Sequence, residues 1–126
     1  MAYLWVAFGG ALGSVARFAC SGLAVRWFGA HFPWGTVFVN VTGSLAIGVL
    51  AALATGGRPL IGGDVRAFLI VGVLGGFTTF SSFSLETLNL ARGGQLGAAG
   101  ANVALSLIAC LVAVWLGFVG AAALSR

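Results

Sequence analysis

Charge is what this sequence has least of. Its 126 residues include six basic side chains, all arginine, two acidic ones and one histidine. Charged residues make up 6% of the chain, against about 25% in a soluble domain. A water-facing surface cannot be built from that supply, which excludes a soluble globular protein. The six arginines stand singly, with no cluster to follow a phosphate backbone, so a pI of 10.6 does not point to nucleic acid. No Cys-His or Ser-His arrangement is present and His31 is a lone loop residue, so no enzyme is expected. Cysteine is scarce as well. Cys20 and Cys110 each fall in an apolar segment and read as small core residues, not as a disulfide or a metal site.

What is present is apolar: 60% of the residues are hydrophobic and the mean hydropathy is +1.12. This composition runs the whole length, so residues 1–126 read as a single integral membrane domain. A membrane-spanning helix needs about 20 apolar residues. Four such spans fit, at roughly 3–27, 34–54, 65–90 and 96–124. Short links between them are marked by Gly, Pro and lone charges. The N-terminal apolar run has no basic leader and is interrupted by Arg17, which favours a first transmembrane helix over a cleaved signal peptide.

Within the third span, Gly75-Gly76-Phe77-Thr78-Thr79-Phe80-Ser81-Ser82-Phe83-Ser84 breaks the pattern. Ten residues hold two glycines, two threonines, three serines and three phenylalanines. Backbone that loosens at membrane depth is tolerated only where protein buries it or it lines a water-filled path. The glycine pair makes a break cheap, since each costs about 1 kcal/mol of helix propensity relative to alanine. The stretch is therefore the expected active centre. Phe80 and Phe83 share a face, and Glu86, the only carboxylate in any span, follows a turn later.

Other polar residues recur at helical spacing. Gly9 and Gly13 form a small-xxx-small pair suited to close helix approach. Thr36, Asn40, Ser44 and Gly48 lie on one face of the second span. Asn40 is either glue between helices or a donor facing a permeation path. Asn102, Ser106 and Cys110 repeat the spacing in the fourth span, as packing or as the wall of a polar track. Arg17 sits inside the first span, where a bare charge is expensive. It either snorkels to the interface or attracts anions in a vestibule. Spans one and three run parallel, which puts Arg17 and Glu86 at similar depth and suggests that they pair.

An even number of spans puts both termini on one side with Arg58, Arg66 and Arg126, leaving Arg26 and Arg92 on the other. That balance gives no clear positive-inside bias. Either orientation can insert, an antiparallel dimer becomes possible, and four helices are few to enclose a pore alone.

These residues resemble the Fluc/CrcB-type fluoride channels along nearly the whole chain. The matching motifs are Gly9-Gly10 through Arg17, Gly35-Thr36 with Val39-Asn40 and Gly43, and the Gly75–Ser84 stretch with Glu86. The resemblance implies an all-α plasma (inner) membrane protein with a broken third helix, assembled as an antiparallel dual-topology homodimer with two pores. It implies passive, electrogenic fluoride export that protects the cell from fluoride toxicity. It also implies a structural Na⁺ at the dimer centre on the backbone carbonyls of Gly75 and Thr78. The fluoride path would comprise Asn40, Phe80, Ser81, Ser82, Phe83 and Ser106, with Arg17 in the vestibule and Cys110 or Asn102 as further positions. The chemistry is consistent: hydroxyls and an amide supply donors for a strongly hydrated anion, and Phe ring edges carry partial positive charge. Small multidrug transporters have a similar size and topology, but that class needs a carboxylate in the first helix, where this chain has Arg17. A non-transporting assembly subunit is the remaining alternative.

Overall fold

The computed structural model describes residues 1–126, and every regular element in it is helical. Four stretches are long and apolar enough to cross a bilayer: Ala2–Phe28, Trp34–Thr55, Gly63–Arg92 and Leu96–Leu124. In hydrocarbon no water is available to backbone groups, so a spanning chain satisfies them internally as a helix. Helix α1 (Ala2–Phe28) ends at Gly29, whose φ of 81° lets its N–H return to the Val25 carbonyl at 2.9 Å. Helix α2 (Trp34–Thr55) starts directly after Pro33, which cannot donate a backbone hydrogen bond.

The third span is a series of segments. A single turn, α3 (Gly63–Arg66), leads into a π-helical stretch, Ala67–Leu74, then another turn, α4 (Gly75–Phe77). Thr78 (φ −89°, ψ 156°) and Thr79 (φ −153°, ψ 118°) are extended, and α5 (Phe80–Arg92) resumes the helix. Helix α6 (Leu96–Leu124) completes the bundle after a turn at Gly94, φ 80°.

Two parallel seams hold the bundle. α1 lies against the π-helical stretch and α4, while α2 lies against α6, and α5 leans on α6. Glycine permits both seams. A Cβ on Gly13 would overlap the Val73 carbonyl, and one on Gly72 would sit 2.9 Å from the Cα of Gly9. On the other seam, a Cβ on Gly48 would overlap the Val114 carbonyl, and one on Gly117 the Leu45 carbonyl. Without water to drive association, such close packing is what holds membrane helices together.

This packing changes how the Gly75–Gly76 pair is understood. Read from sequence as the weak point, it stays helical, and the break falls just beyond it at Thr78 and Thr79. A Cβ on Gly76 would come within 2.6 Å of the Gly10 carbonyl and 3.0 Å of the Ser14 nitrogen. Its small size is needed for contact with α1, not for unwinding. The π-helical stretch before it is invisible to sequence periodicity; such segments are rare and tend to mark functional sites.

The seam is testable. Replacing Gly13 with Ala should cost about 1–3 kcal/mol through overpacking, seen as a lower melting temperature in detergent. Gly22→Ala on the same helix, with open space around its Cβ, should leave stability unchanged or raise it by up to about 1 kcal/mol.

Candidate functional site

Two N–H groups at the break set the site's geometry. The Thr79 N–H, which a continuous helix would give to the Gly75 carbonyl, goes instead to Asn40 Oδ1 at 2.7 Å. Asn40 Nδ2 returns a bond to the Thr79 carbonyl at 3.0 Å. One carboxamide on α2 therefore pairs both backbone groups of an extended residue, as a neighbouring strand would. The Ser82 N–H, the helical donor for the Thr78 carbonyl, goes to the Thr79 hydroxyl at 3.1 Å, an N-cap for α5. The carbonyls of Gly75 and Thr78 thus both lose their in-helix donors. The Thr78 hydroxyl folds back onto the Leu74 carbonyl at 2.8 Å, and Gly43 leaves room for the Thr78 methyl group.

A cleft of about 300 Å³ opens beside the break. Its wall brings together Asn40, Gly75, Thr78, Phe80, Phe83 and Ser106 of the sequence-predicted set, and Cys110 with them. No charged side chain lines it. The rings of Phe80 and Phe83 are 5.4 Å apart and tilted by 51°; Phe83 is buried, while Phe80 is 72% exposed. Ser81 and Ser82 lie off this wall. Ser81 is exposed, with its oxygen 3.3 Å from the Thr79 hydroxyl, and Ser82 contributes through its backbone. Asn102 is buried behind Ser106 at 1% exposure. Its Nδ2 donates to the Thr87 hydroxyl at 2.9 Å, and its Oδ1 accepts from Ser106 at 3.3 Å.

Arg17 and Glu86 do not pair. Arg17 Nε donates to the Gly76 carbonyl at 2.9 Å, at the C-terminal end of α4. There its charge also meets the negative pole of the helix. Glu86 Oε1 accepts from the Thr36 hydroxyl at 2.8 Å, and Oε2 is buried with no partner. Arg17 reaches Gly76, and Glu86 lies ten residues farther along the same span, roughly 15 Å at helical rise. Equal depth, inferred by counting residues, does not hold. Glu86 instead borders a second cleft of about 400 Å³ near the end of α5, shared with His31, Asn89 and Gln95.

Three participants were not singled out from sequence as site residues. Thr79 stood inside the motif, but its pairing with Asn40 depends on a distant helix. Ser44 lay on the α2 stripe and does line the cleft. Thr87 has a legible signal, since it falls at helical spacing from Phe80 and Phe83 on the same face.

The chain is similar to known proteins over almost all its length. A family model described as CrcB-like protein, Camphor Resistance (CrcB), matches residues 4–118. A fluoride-specific ion channel FluC of Opitutus terrae is 60% identical over 124 residues, 98% of this chain and 94% of that protein. The protein of the same name from Rhodospirillum rubrum is 58% identical over 123 residues, 96% of this chain and 95% of its own. That of Methylocella silvestris is 51% identical over 127 residues, 100% and 97% respectively.

Asn40→Leu keeps the heavy-atom count and branching of the side chain but leaves the Thr79 N–H and carbonyl unpaired at membrane depth. It should destabilise the fold by about 2–6 kcal/mol, about 1–3 for each of the two groups, measured by thermal melting in detergent. Ser44→Ala, one turn along the same face, should cost less than about 1 kcal/mol.

Proposed function

Because this chain belongs to the CrcB-like family, we propose that it works as a fluoride channel, a multi-pass plasma-membrane protein that lets fluoride leave the cell and so limits its toxicity. The observation that carries this reading is the cleft at the break, where aromatic edges, hydroxyls and an amide converge at membrane depth without a fixed charge. A fluoride ion gives up hydration water to enter such a cleft. Phe80 and Phe83 can offer ring edges, Asn40 keeps one N–H beyond the bond to Thr79, and the Ser44 hydroxyl on the same wall offers a further donor. With no lysine or arginine lining the cleft, the ion meets no tight partner, and weak multi-point binding is what conduction requires. Arg17 serves as a positive charge at the approach, held in place by the Gly76 carbonyl.

The working unit is an antiparallel pair of chains. Gly75 and Phe80 are both exposed near the middle of the third span, a single copy leaves the cleft open on one side, and the arginines are nearly balanced between the two faces. A second, inverted copy would cover these positions and give two paths per dimer, with Ser81 and Ser82 facing its surface. The same symmetry suits a structural sodium ion. The Gly75 and Thr78 carbonyls of each copy have lost their helical donors, and carbonyl oxygens suit hard cations. Sodium there would tie the two breaks together by charge; the permeating anion would be handled by the side chains of the cleft.

Reconstituted liposomes loaded with fluoride should release it rapidly and electrogenically. Release should be indifferent to a pH gradient, with chloride retained. Drug-coupled proton flux, or no fluoride flux, would contradict the reading. Phe80→Ile and Phe83→Ile should each slow efflux by about two- to tenfold, the loss of one aromatic-edge interaction, without dispersing the dimer. Replacing sodium with N-methylglucamine throughout purification should lower the dimer's melting temperature, and restoring sodium should recover it.

A further inference from the structure

The wall contributed by α6 carries a relay of hydrogen bonds whose direction is determined throughout. The Thr87 hydroxyl gives its only proton to the Phe83 carbonyl at 2.7 Å. Its oxygen is left as an acceptor, so Asn102 must turn Nδ2 towards it, at 2.9 Å. This fixes the carboxamide's orientation and points Oδ1 at Ser106, whose hydroxyl donates to it at 3.3 Å. A serine hydroxyl has one proton. Ser106 therefore lines the cleft with its oxygen lone pairs while its proton points into the protein.

We infer that Asn102 is a positioning residue for the fluoride path, holding the Ser106 proton away from the cleft and so keeping that site weak. This rests on reading the cleft as the path. An arriving anion can recruit Ser106 as a donor only by turning the hydroxyl off Oδ1. That step strands Oδ1 without a partner on a side chain that is 1% exposed, and an unpaired buried acceptor is costly. The Ser106 bond is the longest of the three, so the relay yields there first. The protein thus gains a donor that engages the ion transiently and is drawn back by Asn102, which favours exit over retention.

Single-channel recording in planar bilayers, over a series of fluoride concentrations, separates half-saturation from maximal conductance. Asn102→Leu removes the acceptor. Thr87→Val removes the group that orients the amide, so that Asn102 can turn Nδ2 to Ser106 and release its proton. Both should lower the half-saturating fluoride concentration about two- to tenfold, the equivalent of one net hydrogen bond, and reduce maximal conductance. Neither should shift half-saturation in a Ser106→Ala background. If Asn102→Leu fails to fold, the near-isosteric Thr87→Val carries the test. An unchanged or raised half-saturation, or a shift that persists without the Ser106 hydroxyl, overturns the inference while leaving the channel reading intact. A wild-type protein that conducts no fluoride overturns both.

Discussion

A broken helix at membrane depth has to find partners for its backbone, and here one side chain supplies them. The Asn40 carboxamide takes the Thr79 N–H and returns a bond to the Thr79 carbonyl. Leaving either group bare in hydrocarbon would cost several kcal/mol, so the extended conformation of Thr78 and Thr79 depends on α2 being in register with the break. The same pairing determines what is left over. By taking the Thr79 N–H, Asn40 frees the Gly75 carbonyl; by capping α5, the Thr79 hydroxyl takes the Ser82 N–H and frees the Thr78 carbonyl. Thus the arrangement that stabilises the break also leaves two carbonyl oxygens without helical donors, beside a cleft lined by Phe80 and Phe83.

Register in turn depends on the seams. α1 meets the π-helical stretch and α4 through glycines on both sides, and α2 meets α6 through Gly48 and Gly117. These contacts are nearly backbone to backbone, so they tolerate little sliding. Arg17 adds a polar tie between α1 and the end of α4. Behind the cleft, the relay from Ser106 through Asn102 and Thr87 to Phe83 couples α6 to α5. Of the side chains around the cleft, Asn40 is tied to the break from another helix, Phe83 is buried, and Ser106 bonds Asn102 one turn back on its own helix, while Phe80 is exposed.

Much of this was legible in the residues. Apolar runs of span length announce four transmembrane helices, and the density of hydroxyls and glycines marks where the third one fails. Asn40 and Ser44 of the α2 stripe and Ser106 and Cys110 of the α6 stripe do line the cleft, while Thr36 bonds Glu86 and Gly48 packs against α6. What periodicity could not reveal were non-local relations. The glycine pair signals a break, yet Gly76 is there to admit α1, and the break falls at Thr78 and at Thr79, which Asn40 reaches from another helix. Counting depth along straight helices pairs Arg17 with Glu86. The contacts place one at Gly76 and the other beside Thr36. Asn102, with two possible roles by spacing, proves to be buried because Thr87 and Ser106 satisfy both ends of its amide.

The dependence of the break on Asn40 can be measured directly by amide hydrogen exchange, resolved by NMR on the protein in lipid nanodiscs. The Thr79 N–H lies in extended backbone beside an open cleft, yet it is bonded to a side chain on a neighbouring helix. It should exchange as slowly as the Thr78 N–H, which bonds the Leu74 carbonyl at 3.0 Å, and the Asn40 side-chain amide should be protected with it. Exchange at Thr79 as fast as at Gly57 and Arg58, in the link between the second and third spans, would contradict the account.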